Sequence, residues 1–312
     1  MTGWAVFLLA MMLASAAQAG LSSHSVSYDV KLPADAEKGV HAEGQGTYSA
    51  TRSCQGWTVG EVYQFGIEKA AAKKELGPTA DRLEERLTAT EALDGAQLAY
   101  QARWRLNART TNATIKATLG AGGGKLRADL GTYSQTTELP AGTLGPAAAR
   151  GALIDALLAN QPDPIEIRTI ELLRFHKPIV ERFQRLPPEF KISTALPKDL
   201  KASDKDFAKG RTFAVRRRVG DFNEFGDEFW LLHESGAILR RLIKRQNVNL
   251  LLEAREVTLF PAPKCDSRGG SIASRGVAQM WEESPKTLVP SASEASHGGY
   301  KRGRSAEGLG RL

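Results

Sequence analysis

The sequence predicts a mainly β, antiparallel fold interrupted by one short helix near residues 146–159. Three observations carry this. Apolar residues alternate with polar ones at period two through most of the chain, glycine-containing turns separate the alternating runs, and a single stretch shows helical spacing.

Val26, Tyr28, Val30 and Leu32 alternate with polar or charged neighbours, as a half-buried strand requires. Trp57–Ile67 reads as a strand with bulges expected at Gly60 and Gly66. Leu87–Leu93 and Leu98–Ala108 flank Asp94-Gly95, a hairpin turn pair. In the second of these strands Leu98, Tyr100, Ala102, Trp104, Leu106 and Ala108 share one face, opposite Gln101, Arg103, Arg105 and Asn107. Ile115–Leu119 and Leu126–Leu130 flank a glycine-rich loop and suggest another hairpin. Pro146 then suits a first helical turn; Ala149, Leu153, Ala156 and Leu157 recur at helical spacing, and Asn160 and Pro162 close the helix. Strands return at Ile165–Ile170, Pro178–Leu186, Arg211–Val219 and Phe229–His233. Glu234-Ser235-Gly236 turns into Ile238–Lys244, and Val248–Phe260 supplies a final long strand or strand pair. Segments 69–86 and 187–210 are charged and enriched in Lys and Pro, and are expected as long loops or short surface helices.

Residues 1–19 read as a secretory signal peptide. Trp4–Ala14 is an apolar run too short to span a bilayer, and Ala17-Gln18-Ala19 supplies a small-x-small cleavage pattern, so cleavage is expected after Ala19. No Lys or Arg precedes the run, which leaves the α-amino group as its only positive charge. The expected organisation is therefore a leader at 1–19, one β domain over 20–265 and a disordered tail at 266–312, which is rich in Gly, Ser, Arg and Glu and lacks periodicity. Cys54 and Cys265 are the only cysteines, and in an oxidising compartment they most simply form one structural disulfide.

The net charge of +7 belongs wholly to the mature chain, because residues 1–19 carry no ionisable side chain. In an exported protein this favours anionic lipid or envelope polymer over nucleic acid as a charged partner, and simple solubility over either. Arg216 and Arg218 share one strand face, as do Arg240 and Lys244, with Arg241 and Arg245 opposite; the first four form a candidate basic stripe. Their alternation with Val215, Val219, Leu242 and Ile243 argues for strands with one wet side.

Catalytic patterns fail on inspection. Gly120–Lys125 has the wrong glycine spacing for a phosphate loop, and Leu126 stands where a magnesium-binding Ser or Thr is needed. Asp221–Gly226 resembles a calcium loop but has Phe225 and Leu232 at two ligand positions, so an acidic hairpin turn fits better. His24, His41, His176, His233 and His297 include no pair at His-x-x-x-His spacing and are expected as surface or partly buried side chains. Glu84, Glu85 and Glu91 offer carboxylates but no sequence pattern that pairs them across a cleft. No cofactor, metal site or enzyme activity is implied.

Several blocks carry a family resemblance. Tyr28-Asp29-Val30-Lys31-Leu32, the glycine-spaced Gly39–Tyr48 segment, Cys54-Gln55-Gly56-Trp57-Thr58-Val59 and Phe260-Pro261-Ala262-Pro263-Lys264-Cys265 together resemble the cell envelope integrity protein B family of proteobacterial periplasms. The resemblance covers 24–265 and implies an antiparallel β-spiral, a partly open curved barrel of about fourteen strands stapled by Cys54 and Cys265. It further implies a non-enzymatic periplasmic protein, expected to be a monomer, that supports the envelope through contacts with other envelope proteins. The alternative is a carrier holding a lipid or lipoprotein acyl chain in a concave apolar groove, with Trp57, Phe65 and Trp104 as groove residues or as plain core.

Overall fold

A computed structural model describes residues 20–33, 40–69, 79–107, 109–131, 133–171, 177–187, 195–220, 227–244 and 249–265. The expected leader, the acidic turn at 221–226, His176, His297, Arg245 and the tail at 266–312 lie outside the described residues.

The described strands fall into two antiparallel meanders. The first comprises β1 (His24–Lys31), β2 (Val40–Arg52), β3 (Gly56–Lys69), β4 (Thr79–Ala92), β5 (Gln97–Leu106), β6 (Arg109–Thr118), β7 (Gly124–Asp129) and β8 (Ser134–Leu139). Helix α1 (Pro146–Leu158) leads to the second: β9 (Ile165–Glu171), β10 (Lys177–Arg185), the two-residue β11 (Lys201–Ala202), β12 (Thr212–Val219), β13 (Glu228–His233), β14 (Ile238–Lys244) and β15 (Asn249–Leu259). They merge where β15 pairs with β1, giving one sheet in the order β8-β7-β6-β5-β4-β3-β2-β1-β15-β14-β13-β12-β10-β9, with β11 attached to β15. The sheet does not close. Its terminal strands β8 and β9 are joined in sequence through α1, and a single parallel bridge, Leu144 with Thr169, stitches the end of the first meander to β9.

Alternation decides which face is inside. Across β5, β4, β3, β2, β1, β15, β14, β13 and β12 the residues Leu106, Leu83, Phe65, Gly44, Val30, Leu252, Arg241, Trp230 and Val215 are successive cross-strand partners, so their side chains project from one face. Most of that face is apolar and buried, with Val26, Tyr100, Ile115, Leu126 and Leu239 at 2% exposure or less. Leu106, at 47%, ends the buried run of β5: this end of the strand projects past the core, so the pattern continues where burial does not. Gly46 lies where a Cβ would stand 2.4 Å from the Tyr63 ring, so the missing side chain makes room for that aromatic on β3.

Helix α1 packs on the inner face of the sheet. Ala147, Ala148, Ala149, Leu153, Ile154, Ala156 and Leu157 are all buried, on every side of the helix rather than one. A helix apolar all round must be enclosed, and this one packs on β9, β3 and β4. Asn160 stops it with a left-handed φ of 53°, and its N–H donates to the Leu157 carbonyl.

Several expectations are corrected. Gly60 and Gly66 are not bulges, since β3 pairs in unbroken register with β2 and β4. Residues 79–86, expected as loop, are the first half of β4; charged residues on a strand that overhangs the core hide its periodicity. Strand β8 has no apolar alternation strong enough to announce it. Val248–Phe260 resolves into one strand. Residues 195–210 do form loop with a short 3₁₀ turn (Phe207–Lys209), and they cover the outer side of β13–β15.

Candidate functional site

The interior between α1 and the sheet is polar at its centre. Glu91 on β4 is 2% exposed and points at the start of α1. It accepts the Ala147 N–H at 2.8 Å and the Ala148 N–H at 3.2 Å, satisfying two of the helix's unpaired donors from a residue 56 positions away. The N-cap residue itself is Gly145, which has no side chain to do this. Burial pushes the Glu91 carboxyl up to about 7, against the opposing pull of those two N–H groups.

Deeper in the same space lies a network of buried ions. Glu228 on β13 receives a two-point contact from Arg241 on β14 (2.9 and 3.1 Å), an ion pair from its cross-strand partner Arg217 (3.2 Å) and the Trp230 indole N–H (3.0 Å). Arg217 also pairs with Glu181 on β10. Burial alone would raise the Glu228 carboxyl, but Arg241 and Arg217 outweigh it and hold the group far below the usual carboxylate range. Burial would likewise lower both arginines, and Glu181 and Glu228 push Arg217 up, while Glu228 does most of the same for Arg241. The two arginines and two carboxylates balance one another, the condition under which buried charge is tolerated. Trp230 sits amid three guanidiniums: Arg150 from α1 at 4.9 Å, Arg217 at 5.3 Å and Arg241 at 5.9 Å from its ring centre.

A cavity of about 150 Å³ remains beside this network, bounded by Tyr48, Glu61, Arg150, Glu181, Phe183 and Trp230 among others. Arg217 and Arg241 keep 15% and 19% of their side-chain surface exposed, so water reaches the inner face here.

The residues singled out in the sequence fall elsewhere. Cys54, in the turn between β2 and β3, and Cys265, after β15, form a disulfide with Cα atoms 5.5 Å apart, leaving no free cysteine. Of the basic stripe, Arg216 and Arg218 both bind Asp227, and Arg240 binds Glu253 at 2.9 Å and the Ala195 carbonyl at 3.2 Å. Lys244 lies at the end of β14. Arg216, Arg218 and Arg240 are on the outer face as expected but engaged by carboxylates, while Arg217 and Arg241, on the supposedly apolar face, build the interior. Hydropathy alternation could not reveal that, because an inward arginine breaks the pattern it relies on; Trp230 between two acid- and arginine-bearing strands was the available signal.

Two histidines are corrected. His24 is fully buried, with Nδ1 2.7 Å from the Ser22 carbonyl, and burial lowers it to about 4. His233 is buried against Phe207, rings 3.9 Å apart, with Ser235 Oγ and the Phe207 carbonyl on its two nitrogens, and burial lowers it too. His41 is exposed. Glu84 pairs with Arg86 and Glu91 caps α1, so they do not face one another across a cleft. Trp57 is core at 1% exposure, with Phe65 and Trp104 packed against the same cluster.

No family model and no curated protein matches the sequence. The fold is that of a β-barrel-like protein. Among solved structures it is similar to the crystal structure of a β-barrel-like protein of domain of unknown function DUF1849 from Brucella abortus, at a TM-score of 0.63 and 15% identity, over 77% of this chain and 99% of that one.

Proposed function

We propose that this protein is a non-enzymatic component of the bacterial periplasm that supports the envelope by contact with other envelope proteins. The observation that carries this reading is the occupied interior. Helix α1 and the Arg217–Glu228–Arg241 network take up the inner face, and the cavity beside them, at about 150 Å³, is smaller than an acyl chain needs. The carrier alternative draws less support for that reason, and the outer surface and sheet edges are left as working surfaces. Export is supported by the disulfide and by Gly20. The Gly20 N–H donates to Asp155 on α1, so cleavage after Ala19 places a new ammonium beside a carboxylate.

The contact surface in this reading is the outer edge of β8, which among the described residues pairs with β7 alone. Such an edge recruits a partner strand through backbone groups and leaves little trace in side-chain motifs. Deleting the gene should sensitise the source bacterium to detergents and cell-wall antibiotics. Proline at Thr136 or at Thr137 tests the edge, since one of two consecutive N–H groups faces outward. The outward-facing variant should fold normally yet fail to complement. A deletion strain as resistant as wild type would refute the envelope role, and full complementation by both proline variants would refute the edge.

A further inference from the structure

Two charges that line the cavity are left over after the buried network is satisfied. Arg150 on α1 packs 5.4 Å over the Tyr48 ring and 4.9 Å over Trp230, and its Nη1 donates to the Gly236 carbonyl at 3.1 Å. Among the described residues no carboxylate pairs with it. Glu61 on β3 is the mirror case. It interrupts an inward row of cross-strand partners, Ala113, Ala102, Leu87, Glu61, Tyr48, Val26 and Val257, that is otherwise apolar or aromatic. It has no ion-pair or hydrogen-bond partner among the described residues, and the guanidinium of Arg241, which its charge reaches, is committed to Glu228. A cation and an anion thus face one small space without meeting. Both are half-buried, and a bridging ligand would give each a charged partner in place of water.

We propose that the cavity binds a small zwitterion of α-amino-acid size, its carboxylate on Arg150 and its ammonium on Glu61. The lining selects against simpler ions. A lone anion would meet Glu61 and Glu181, and a lone cation would meet Arg150, Arg217 and Arg241. Only a ligand with both signs finds a partner for each and a repulsion for neither. Size points the same way, since a cavity of 150 Å³ admits a benzene-sized molecule of about six heavy atoms, which fits glycine or alanine. The inference is independent of the envelope reading, because it concerns the inside of the sheet and not its edge.

Calorimetric titration of the purified protein with alanine, acetate, methylammonium and diglycine tests it. Alanine should bind, acetate and methylammonium should not at the same concentration, and diglycine should bind more weakly because its charges stand further apart. Glu61→Gln and Arg150→Gln should each weaken alanine by roughly tenfold or more, as the loss of a charge-assisted contact does. Glu61 is only half-buried, so Glu61→Gln keeps the test valid if Arg150→Gln, stacked on Trp230, does not fold. Heat from none of the four would overturn the proposal, as would acetate or diglycine binding as tightly as alanine, or alanine binding unchanged by Glu61→Gln.

Discussion

Glu91 and His24 are buried groups whose titrations burial moves in opposite directions, and together they set how stability answers to pH. Glu91 is raised from 4.5 to about 7, so its contribution is fully present below about pH 4.5 and is lost as pH rises through about 7. His24 is lowered from 6.5 to about 4, so its contribution is present above about pH 6.5 and is lost as pH falls through about 4. Each shift corresponds to about 3 kcal/mol, so between roughly pH 4.5 and 6.5 the two nearly cancel. Glu91→Gln should therefore lose stability on acidification from pH 7 to 5 more steeply than wild type, while His24→Leu should gain. Urea midpoints at the two pH values measure this, and parallel profiles for all three proteins would refute it. Neither group was legible beforehand. His24 sits in a Ser-His-Ser stretch that reads as surface, and Glu91 lies in an ordinary strand alternation. Only the distant arrival of α1 gives Glu91 its role, and no local pattern encodes that.

At the scale of elements, strands and turns were readable wherever both flanks of an alternation are buried. The β4–β5 hairpin is the clearest case: Asp94 accepts the Ala96 N–H at 2.9 Å, and Gly95 takes a φ of 69°. Legibility failed in β4 before residue 87 and in β8, where strands leave the core and alternation stops reporting burial. Helix α1 was visible, but its enclosure was not, because four positions at helical spacing suggest one apolar face where the structure buries all of them. Its start depends on a close approach. A Cβ on Gly145 would stand 2.5 Å from the Glu91 carboxyl carbon, so the carboxylate would have to leave its two helix N–H donors to make room. Gly145→Ala should thus cost about 1–3 kcal/mol, the range for overpacking. In a Glu91→Ala background, where the obstructing group is gone, the same substitution should cost much less. Strict additivity of the two changes in denaturant unfolding would show that the contact is not the cause.

Across the whole molecule, the seam between β1 and β15 is where the two meanders meet, and it joins residues more than 200 positions apart. The disulfide sits at one end of that seam. Cys54 lies in the β2–β3 turn, two strands from β15, and Cys265 follows β15 directly, so the bond spans β2, β1 and β15 together. Two cysteines in a chain that reads as exported made the bond an expectation from sequence, but the sheet order that gives it a mechanical purpose emerges only from the fold. The loop it closes has a sequence separation of 211. For a loop this long the chain-entropy account gives about 5 kcal/mol, with 2–5 kcal/mol the usual measured cost of removing a native bond. Cys54→Ser should lower stability by that range, but the location of the damage is the sharper expectation. Loss of the pin should free the seam before the hairpins, whose strands are held by short local turns. In native-state hydrogen exchange, amides of Val26–Val30 and Leu252–Val257 should then exchange much faster in Cys54→Ser than in wild type. Amides in β5 and β6 should exchange at rates close to wild type under the same native conditions. Equal acceleration in both regions would mean that the bond acts only on the unfolded chain, and that the seam is held by its own ladder.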